Sequence, residues 1–338
     1  MANAVFSPKD FRAYVIAEGA NDELNGNVVS GQNVTAPAIT SNLLKLNVDS
    51  IGFPTLNVTQ VSEPRNGLGR IAKAVDFFHD NKNSITEISV SGTLSNTAGH
   101  NLLLENITGS IADPLAIVYN HTGSSGKYGV NSDANVTFTM VLASPDQTDA
   151  YNIILRGCMC TNFEISADMG DGGLYKYSAT ISTGLVPLLE NAQTEAEASG
   201  YVATPISMST LGTKTIQSVT PVLQNFSVTI DSPAVYAGFS STGYEAYGRG
   251  AETSVTASAT IKLDSATRPL VGLFHAGTLD DAGSLTLTQG TPSNYSIAIA
   301  RSALTNVAYN EGDIMMLDVE MKALAHTGAE SVITIDKA

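Results

Sequence analysis

Tryptophan is absent from this sequence, and charged residues and cysteines are scarce. Charged residues make up 14% of the 338 positions, against about 25% in a typical soluble domain. The 17 basic residues are outnumbered by 32 acidic ones, which gives a formal net charge of −15. Binding to nucleic acid phosphates requires clustered lysine and arginine, so this composition argues against a protein that grips DNA or RNA.

Long apolar runs are also missing, and the two cysteines cannot form a disulfide framework. No stretch approaches the roughly 18 apolar residues of a membrane-spanning helix, so we expect no membrane contact. The first eight residues lack the basic segment and apolar run of a signal peptide, which predicts synthesis in a cytoplasm. Cys158 and Cys160 would share one face of a strand, and we expect both to be buried as small apolar residues.

The sequence is rich in serine, threonine, asparagine and glycine, and these residues alternate with apolar ones in the manner of strands and turns. Residues 86–94 alternate strictly between apolar and polar side chains. Residues 163–168 and 175–182 flank a Gly/Asp-rich loop at 169–173, which predicts a hairpin.

Helical segments are few. Short apolar helices are predicted at 102–107 and at 270–275, and an acidic helix is predicted at 188–199, before Gly200. The fold class predicted from these patterns is therefore mainly β.

The two halves of the chain resemble each other. Residues 86–94 align without gaps with residues 253–261, and a short apolar helix is predicted after each segment. Further along, Thr161 and the asparagine after it align with Thr305 and its asparagine. Because the matches occur in the same order in both halves, we predict that the chain contains a duplication.

Familiar motifs of catalysis and ligand binding are not found. No His-Glu-x-x-His spacing and no Gly-x-Ser-x-Gly elbow occurs, although folding can bring together a Ser-His-Asp triad from distant positions. The run 123–127 does not match a phosphate loop, because His121 stands where the motif needs glycine and Tyr128 stands where it needs serine or threonine. We predict no enzyme, no catalytic residue, no cofactor and no resident metal. Residues 168–173 are interpreted as a turn, with a surface cation as the alternative.

The segment 153–184 resembles the hallmark stretch of phage tail tube proteins. In that family a strand ends in a small residue or cysteine, and a strand of the type x-Val-x-Val-Asp-Ile, a Gly/Asp turn and a strand with a Ser-Gly or Ser-Ala pair follow. Residues 163–168, the loop through Gly173 and the pair Ser178-Ala179 correspond to these parts. The strand at 86–94 with the helix after it resembles the single helix that the family places on its β barrel.

The resemblance implies a structural virion protein that polymerises into a tail tube. The duplication resembles the variety in which one chain supplies two tube domains and three chains form a ring that mimics the usual six. Stacked rings would form a smooth acidic channel through which viral DNA passes without specific binding. The implied partners are further copies of the chain and the tail terminator, tape measure and tail tip proteins. The implied location is the virion tail, after synthesis in the host bacterial cytoplasm.

The predicted organisation is two tandem tail-tube-type β-barrel or sandwich domains, each with one short α-helix and a long loop. The first domain, with an N-terminal arm, covers residues 1–187, a linker covers 188–215, and the second domain covers 216–338. The segments 111–132 and 233–250 have the composition of loops, and we expect them to become ordered only on assembly.

Five carboxylates lie on predicted polar strand faces and are candidates for a lumen or an interface: Glu87, Glu164, Asp168, Asp318 and Glu320. Two other classes of function stay open. A β-sandwich adhesin or a capsid or tail decoration protein would be a stable monomer or closed oligomer with an exposed binding face. A glycan-cleaving tail enzyme would need a cleft with paired carboxylates.

Overall fold

The computed structural model describes residues 6–18, 43–54, 59–62, 77–80, 86–109, 115–119, 137–145, 151–191, 206–237, 246–249, 252–277, 285–289, 295–325 and 330–336. Within these residues the chain is mainly antiparallel β-structure with two short α-helices, which confirms the predicted fold class at this coarse level. No helix of this part of the chain is long and apolar enough to cross a membrane.

The N-terminal half contributes eleven strands within the described residues. They are β1 (Arg12–Ala17), β2 (Leu44–Lys45), β3 (Ser50–Ile51), β4 (Thr59–Ser62), β5 (Phe77–Asp80), β6 (Thr86–Thr93), β7 (Leu115–Tyr119), β8 (Phe138–Ala143), β9 (Tyr151–Asp168), β10 (Lys176–Thr183) and β11 (Leu188–Asn191). The helix α1 (Ala98–Thr108) follows β6 and ends at Gly109.

The C-terminal half contributes ten more strands within the same described part of the chain. They are β12 (Leu211–Ile216), β13 (Leu223–Asp231), β14 (Ala234–Ala237), β15 (Ala246–Arg249), β16 (Ser254–Lys262), β17 (Leu285–Gln289), β18 (Ser296–Ile299), β19 (Ser302–Asn310), β20 (Met316–Ala323) and β21 (Glu330–Asp336). The helix α2 (Pro269–Ala276) follows β16, with proline in its first turn and Gly277 after its last residue.

Eight strands form one long antiparallel sheet in the order β19-β20-β16-β13-β9-β10-β6-β3, which we call the long sheet. The halves meet where β9 pairs with β13, with Ile165 opposite Val228. The first part of β9 also pairs with β8 and β11. A second sheet has the order β12-β17-β18-β21-β7, so β7 from the N-terminal half pairs with the last strand of the chain.

Alternation explains how the long sheet is built. Along β6 and β16 every second side chain is buried and the intervening ones are more exposed, as expected for strands with one face on a core. Most buried apolar side chains of both halves belong to one continuous core, in which Ile88, Phe163 and Val255 are almost fully buried, and a small separate cluster includes Tyr14 and Ile154. The helix α1 packs against β1, β7 and β9, and α2 packs against β19.

The four strands from each half stand in corresponding order. The N-terminal half supplies β3-β6-β10-β9 and the C-terminal half supplies β13-β16-β20-β19. A two-stranded hairpin follows the first strand of each set, β4–β5 in one half and β14–β15 in the other. The ladder β9–β10 skips Thr161 and the ladder β19–β20 skips Thr305, so the two residues aligned by sequence occupy matching β-bulges.

Three predictions about local structure differ from the structure. The segment predicted as an acidic helix at 188–199 begins instead as the strand β11. Leu188 pairs with Ile154 and packs against the small apolar cluster that contains Ile154. Residues 192–199 lie outside the described residues. The loop at 111–132 contains the strand β7, whose Ile117 is buried opposite Ile333. The loop at 233–250 contains the hairpin β14–β15. Residues 111–114, 120–132, 238–245 and 250 of these loops lie outside the described residues.

The segment predicted as a linker makes bonds to both halves. The backbone N–H of Tyr175 donates to the carbonyl of Ile206 at 2.8 Å, and Met208 donates to Gly173 at 2.7 Å. Thr210 donates through its hydroxyl to the side-chain oxygen of Gln289 at 2.6 Å. Residues 206–210 are thus hydrogen-bonded both to the turn before β10 and to β17 of the second sheet. The predicted domain boundaries stay predictions.

Candidate functional site

The five carboxylates predicted from the sequence all lie on the same face of the long sheet, the one that points away from the core. We call it the polar face. Glu87 lies on β6, Glu164 and Asp168 on β9, and Asp318 and Glu320 on β20. Four of them stand between two buried neighbours, and Asp168, the last residue of β9, follows the buried Ala167, so the face is set by strand alternation.

Uncharged polar residues flank these carboxylates on neighbouring strands. Glu164 lies opposite Ser178 on one side and Thr229 on the other. Glu320 lies opposite Ser258 and Asn306. Because adjacent strands are about 4.8 Å apart, β9 and β20 stand about 14 Å from each other, with β13 and β16 between them. The carboxylates are therefore distributed over a broad surface.

The carboxylate of Asp318 is held by neutral donors. The hydroxyl of Thr260 donates to it at 2.7 Å and the side-chain amide of Asn310 at 2.9 Å. These contacts orient the group on the sheet surface.

Acidic groups exceed basic groups on the polar face. Six carboxylates lie there among the described residues, against three lysines, an excess of three negative charges: Glu87, Glu164, Asp168, Asp231, Asp318 and Glu320 against Lys176, Lys262 and Lys322. Two of the lysines have acidic partners, since Lys176 pairs with Asp171 and Lys322 lies 3.5 Å from Glu252. A surface of this composition repels phosphates and offers them few free cations.

The turn at 168–173 satisfies its own carboxylates. Asp168 accepts a bond from the backbone N–H of Gly170 at 2.7 Å. Asp171 pairs with Lys176, whose hydrogen bond and charge lower the pKa of that carboxyl. No group of three or more potential metal ligands occurs among the described residues. The geometry favours the turn over the cation site.

His100 lies buried in α1. Its Nδ1 is 2.9 Å from the hydroxyl of Thr97 and 3.0 Å from the carbonyl of Ser95. Burial lowers the pKa of His100 to about 4, against a smaller opposing effect of hydrogen bonds to the backbone of Ser95 and Asn47. The ring also packs edge-on against Tyr177, with centroids 4.7 Å apart. These contacts assign the imidazole a structural role in the core.

Both cysteines are fully buried, as predicted. Burial, and secondarily the charge of Glu18, raises the pKa of the Cys158 thiol. A thiol that stays protonated is a poor nucleophile. The Cys160 backbone N–H donates to the side-chain oxygen of Asn106 at 2.7 Å, which ties α1 to the strand next to the bulge at Thr161.

Sequence reasoning missed two buried polar groups. Glu18 is buried and accepts bonds from Thr137, Thr139 and the backbone of Gly157, all of which lie more than a hundred residues away in the chain. The second group comprises the buried hydroxyls of Tyr175 and Tyr295: that of Tyr175 lies beside the side chain of Gln289, and that of Tyr295 has no hydrogen-bond partner among the described residues. Burial raises the pKa of both phenols. No local pattern marks either group, because the contacts arise only on folding.

The outer strands of the long sheet are its most informative feature for function. Within the described residues, β3 is paired with β6 alone and β19 with β20 alone. Unpaired strand edges are templates for pairing with another chain. Tyr309 lies on the core side of β19, opposite the buried Leu317, yet 58% of its surface is exposed. Its counterpart on β9, Ile165, is 1% exposed because β13 covers it.

No family model matches the sequence, and no curated protein matches it with significant similarity.

Proposed function

We propose that this chain is a structural subunit whose sheets join laterally into rings, and that the rings stack into a phage tail tube. The observation that carries the proposal is the internal junction between β9 and β13. It joins the last strand of one four-stranded set to the first strand of the next. The outer strands β19 and β3, each paired with a single strand within the described residues, are the corresponding last and first strands. The chain thus contains one example of the contact that two chains would make.

The internal junction also predicts the register between chains. On β9, Phe163 and Ile165 stand opposite Ile230 and Val228 of β13. Because of the matching bulges, Val307 and Tyr309 correspond to Phe163 and Ile165. The strand β6 is aligned with β16, and β3 pairs with β6 as β13 pairs with β16. Ile51 therefore corresponds to Val228, and Phe53 corresponds to Ile230. The expected contacts between chains are therefore Val307 with Phe53 and Tyr309 with Ile51.

Head-to-tail pairing of this kind is heterologous, and it closes into a ring when the rotation per chain divides a full turn. Two four-stranded sets in each chain make three chains equivalent to six sets, as the resemblance to tail tube proteins implies. The polar face would line the lumen and the core with both helices would lie outside it. An acidic, hydroxyl-rich wall would let DNA pass without adhering. Tail terminator, tape measure and tail tip proteins would complete the virion tail, after synthesis in the host cytoplasm.

Disulfide trapping tests the lateral contact. The register places Ser50 of one chain opposite Asn310 of the next, and both side chains are exposed. We expect S50C/N310C to form covalent trimers under mild oxidation, whereas S50C/A308C, displaced by two residues, forms few. The buried Cys158 and Cys160 do not interfere. Electron micrographs of the same samples should show rings or tubes. A monomer without cross-links would contradict the proposal and favour the adhesin or decoration protein.

A further inference from the structure

Among the described residues, exposed large apolar side chains are concentrated at the two ends of the long sheet. Five lie at the end formed by the turns β9–β10 and β19–β20, the start of β13 and the end of β16: Met169, Leu174, Val222, Ile314 and Met315. We call these five residues the apolar rim. Ile314 is 63% exposed and Val222 is 55% exposed. Two others, Leu189 on β11 and Val235 on β14, lie toward the opposite end of the long sheet.

The rim is continuous across neighbouring strands. The backbone N–H of Lys262 donates to the carbonyl of Val222 at 2.9 Å, and that of Leu263 donates to Met315 at 3.1 Å. The start of β13 and the start of β20 therefore flank the end of β16. On the other side, the end of β9 lies beside β13, with Asp168 opposite Asn225. At about 4.8 Å for each strand, the rim extends for about 20 Å.

The lateral contact does not use the rim. Edge pairing covers Tyr309 and the outer strands β3 and β19, while the rim lies at the strand ends and stays exposed on one flat side of a ring. Adjacent chains would bring their rims side by side into a closed apolar annulus. Contiguous apolar surface of that extent marks a contact with another protein.

We propose that the apolar rim docks onto the opposite end of a second copy of this chain, where Val235 and Leu189 are exposed. The inference rests on the proposed function, because the two surfaces face each other in a stack of identical rings. An open stack requires complementary surfaces at its two ends, and these residues supply apolar groups at both.

The size of the rim explains why stacking follows ring formation. Five side chains that are about half exposed provide about 400 Å² of apolar surface for each chain. One pair of chains would then bury about 800 Å² in total, the scale of a crystal-packing contact. Three chains in a ring would bury about 2,400 Å² together, the scale of a permanent interface. Monomers should stay apart and rings should stack.

Serine substitutions in the rim test the proposal. We expect V222S/I314S to retain the lateral cross-link of the S50C/N310C background and to form single rings, with at least tenfold fewer stacked rings in electron micrographs. The matched control is F274S, which removes an exposed apolar side chain that lies on the helix α2 and belongs neither to the apolar rim nor to the pair Leu189 and Val235. It should stack like the parent protein.

A mixing experiment tests the proposed occupant. V235D rings keep an intact rim, and V222S/I314S rings keep an intact opposite end. Each alone should give single rings, and their mixture should give pairs of rings that grow no further. Pairs formed by V235D alone would show that rims dock on rims and would overturn the proposal. If V222S/I314S stacked normally and kept the cross-link, the proposed docking role of the apolar rim would be wrong and the proposed lateral contact would still stand. If the S50C/N310C protein with an intact rim formed neither cross-links nor rings, the result would overturn both the proposed lateral contact and the proposed docking of the rim.

Discussion

The carboxylate of Glu18, at the end of β1, accepts a hydrogen bond of 2.8 Å from the backbone N–H of Gly157 in the middle of β9. Gly157 has a positive φ of 61°, a conformation that glycine adopts without the steric cost of a Cβ atom. It lies in the irregularity of the β8–β9 ladder, between Leu155 and Cys158, where the part of β9 that pairs with β8 is followed by the part that belongs to the long sheet. The buried carboxylate therefore stabilises the point where these two parts of β9 meet.

Removal of the Glu18 carboxylate should destabilise the fold. E18A leaves the N–H of Gly157 and the hydroxyl of Thr139 buried without their acceptor, and we expect a loss of about 2–3 kcal/mol in the free energy of unfolding. Urea denaturation measures it. The control is E311A in the exposed turn after β19, which should change stability by less than about 0.5 kcal/mol. Equal effects of the two variants would contradict a structural role for Glu18.

His100 should make the protein less stable in acid. Its pKa is lowered from 6.5 to about 4 by burial, so between these pH values the unfolded chain binds a proton that the folded chain does not. Stability should therefore fall as the pH decreases from 6.5 to 4, by about 3 kcal/mol from this group. H100L should flatten this dependence in denaturation curves recorded at several pH values. H275Q, at an exposed position of α2, should leave the slope unchanged.

Phenylalanine substitutions at two tyrosines should have different effects on the free energy of unfolding, because the buried hydroxyl groups differ in their hydrogen bonds. The hydroxyl of Tyr295 is buried with no hydrogen-bond partner in the part of the chain that the structure describes, whereas that of Tyr177 donates to the carbonyl of Asn47 at 2.7 Å. We expect Y295F to leave the free energy of unfolding unchanged or to raise it by about 1 kcal/mol, and Y177F to lower it by about 1 kcal/mol. Thermal and urea denaturation provide the measurement. A clear loss of stability in Y295F would show that its hydroxyl has a partner such as buried water.

The sequence predicted what depends on local patterning. Strand alternation located β6 and β16 and placed Glu87 and Glu320 on polar faces, since a period of two needs no knowledge of the partner strand. The acidic segment after 188 was misread because its helical propensity is outweighed by pairing with β9. The acceptors of Thr139 and Gly157, and the junction that brings all five carboxylates onto one sheet, depend on contacts between distant residues.

Reversal of charge on the polar face should create affinity for DNA. E164K/E320K changes six carboxylates and three lysines into four carboxylates and five lysines, so an excess of three negative charges becomes an excess of one positive charge. We expect the unassembled variant to bind double-stranded DNA in fluorescence anisotropy at low salt, with affinity that decreases steeply as salt increases. The parent protein should show no binding.

The control E311K/D313K has the same net charge but carries its new lysines in an exposed turn, and it should bind more weakly because they are not aligned with the basic groups of the face. If both variants bound equally, net charge alone would account for the affinity and the arrangement of the polar face would not matter. If tubes of E164K/E320K retained DNA that parent tubes release, the acidic excess would be the property that keeps the channel free of adhering DNA.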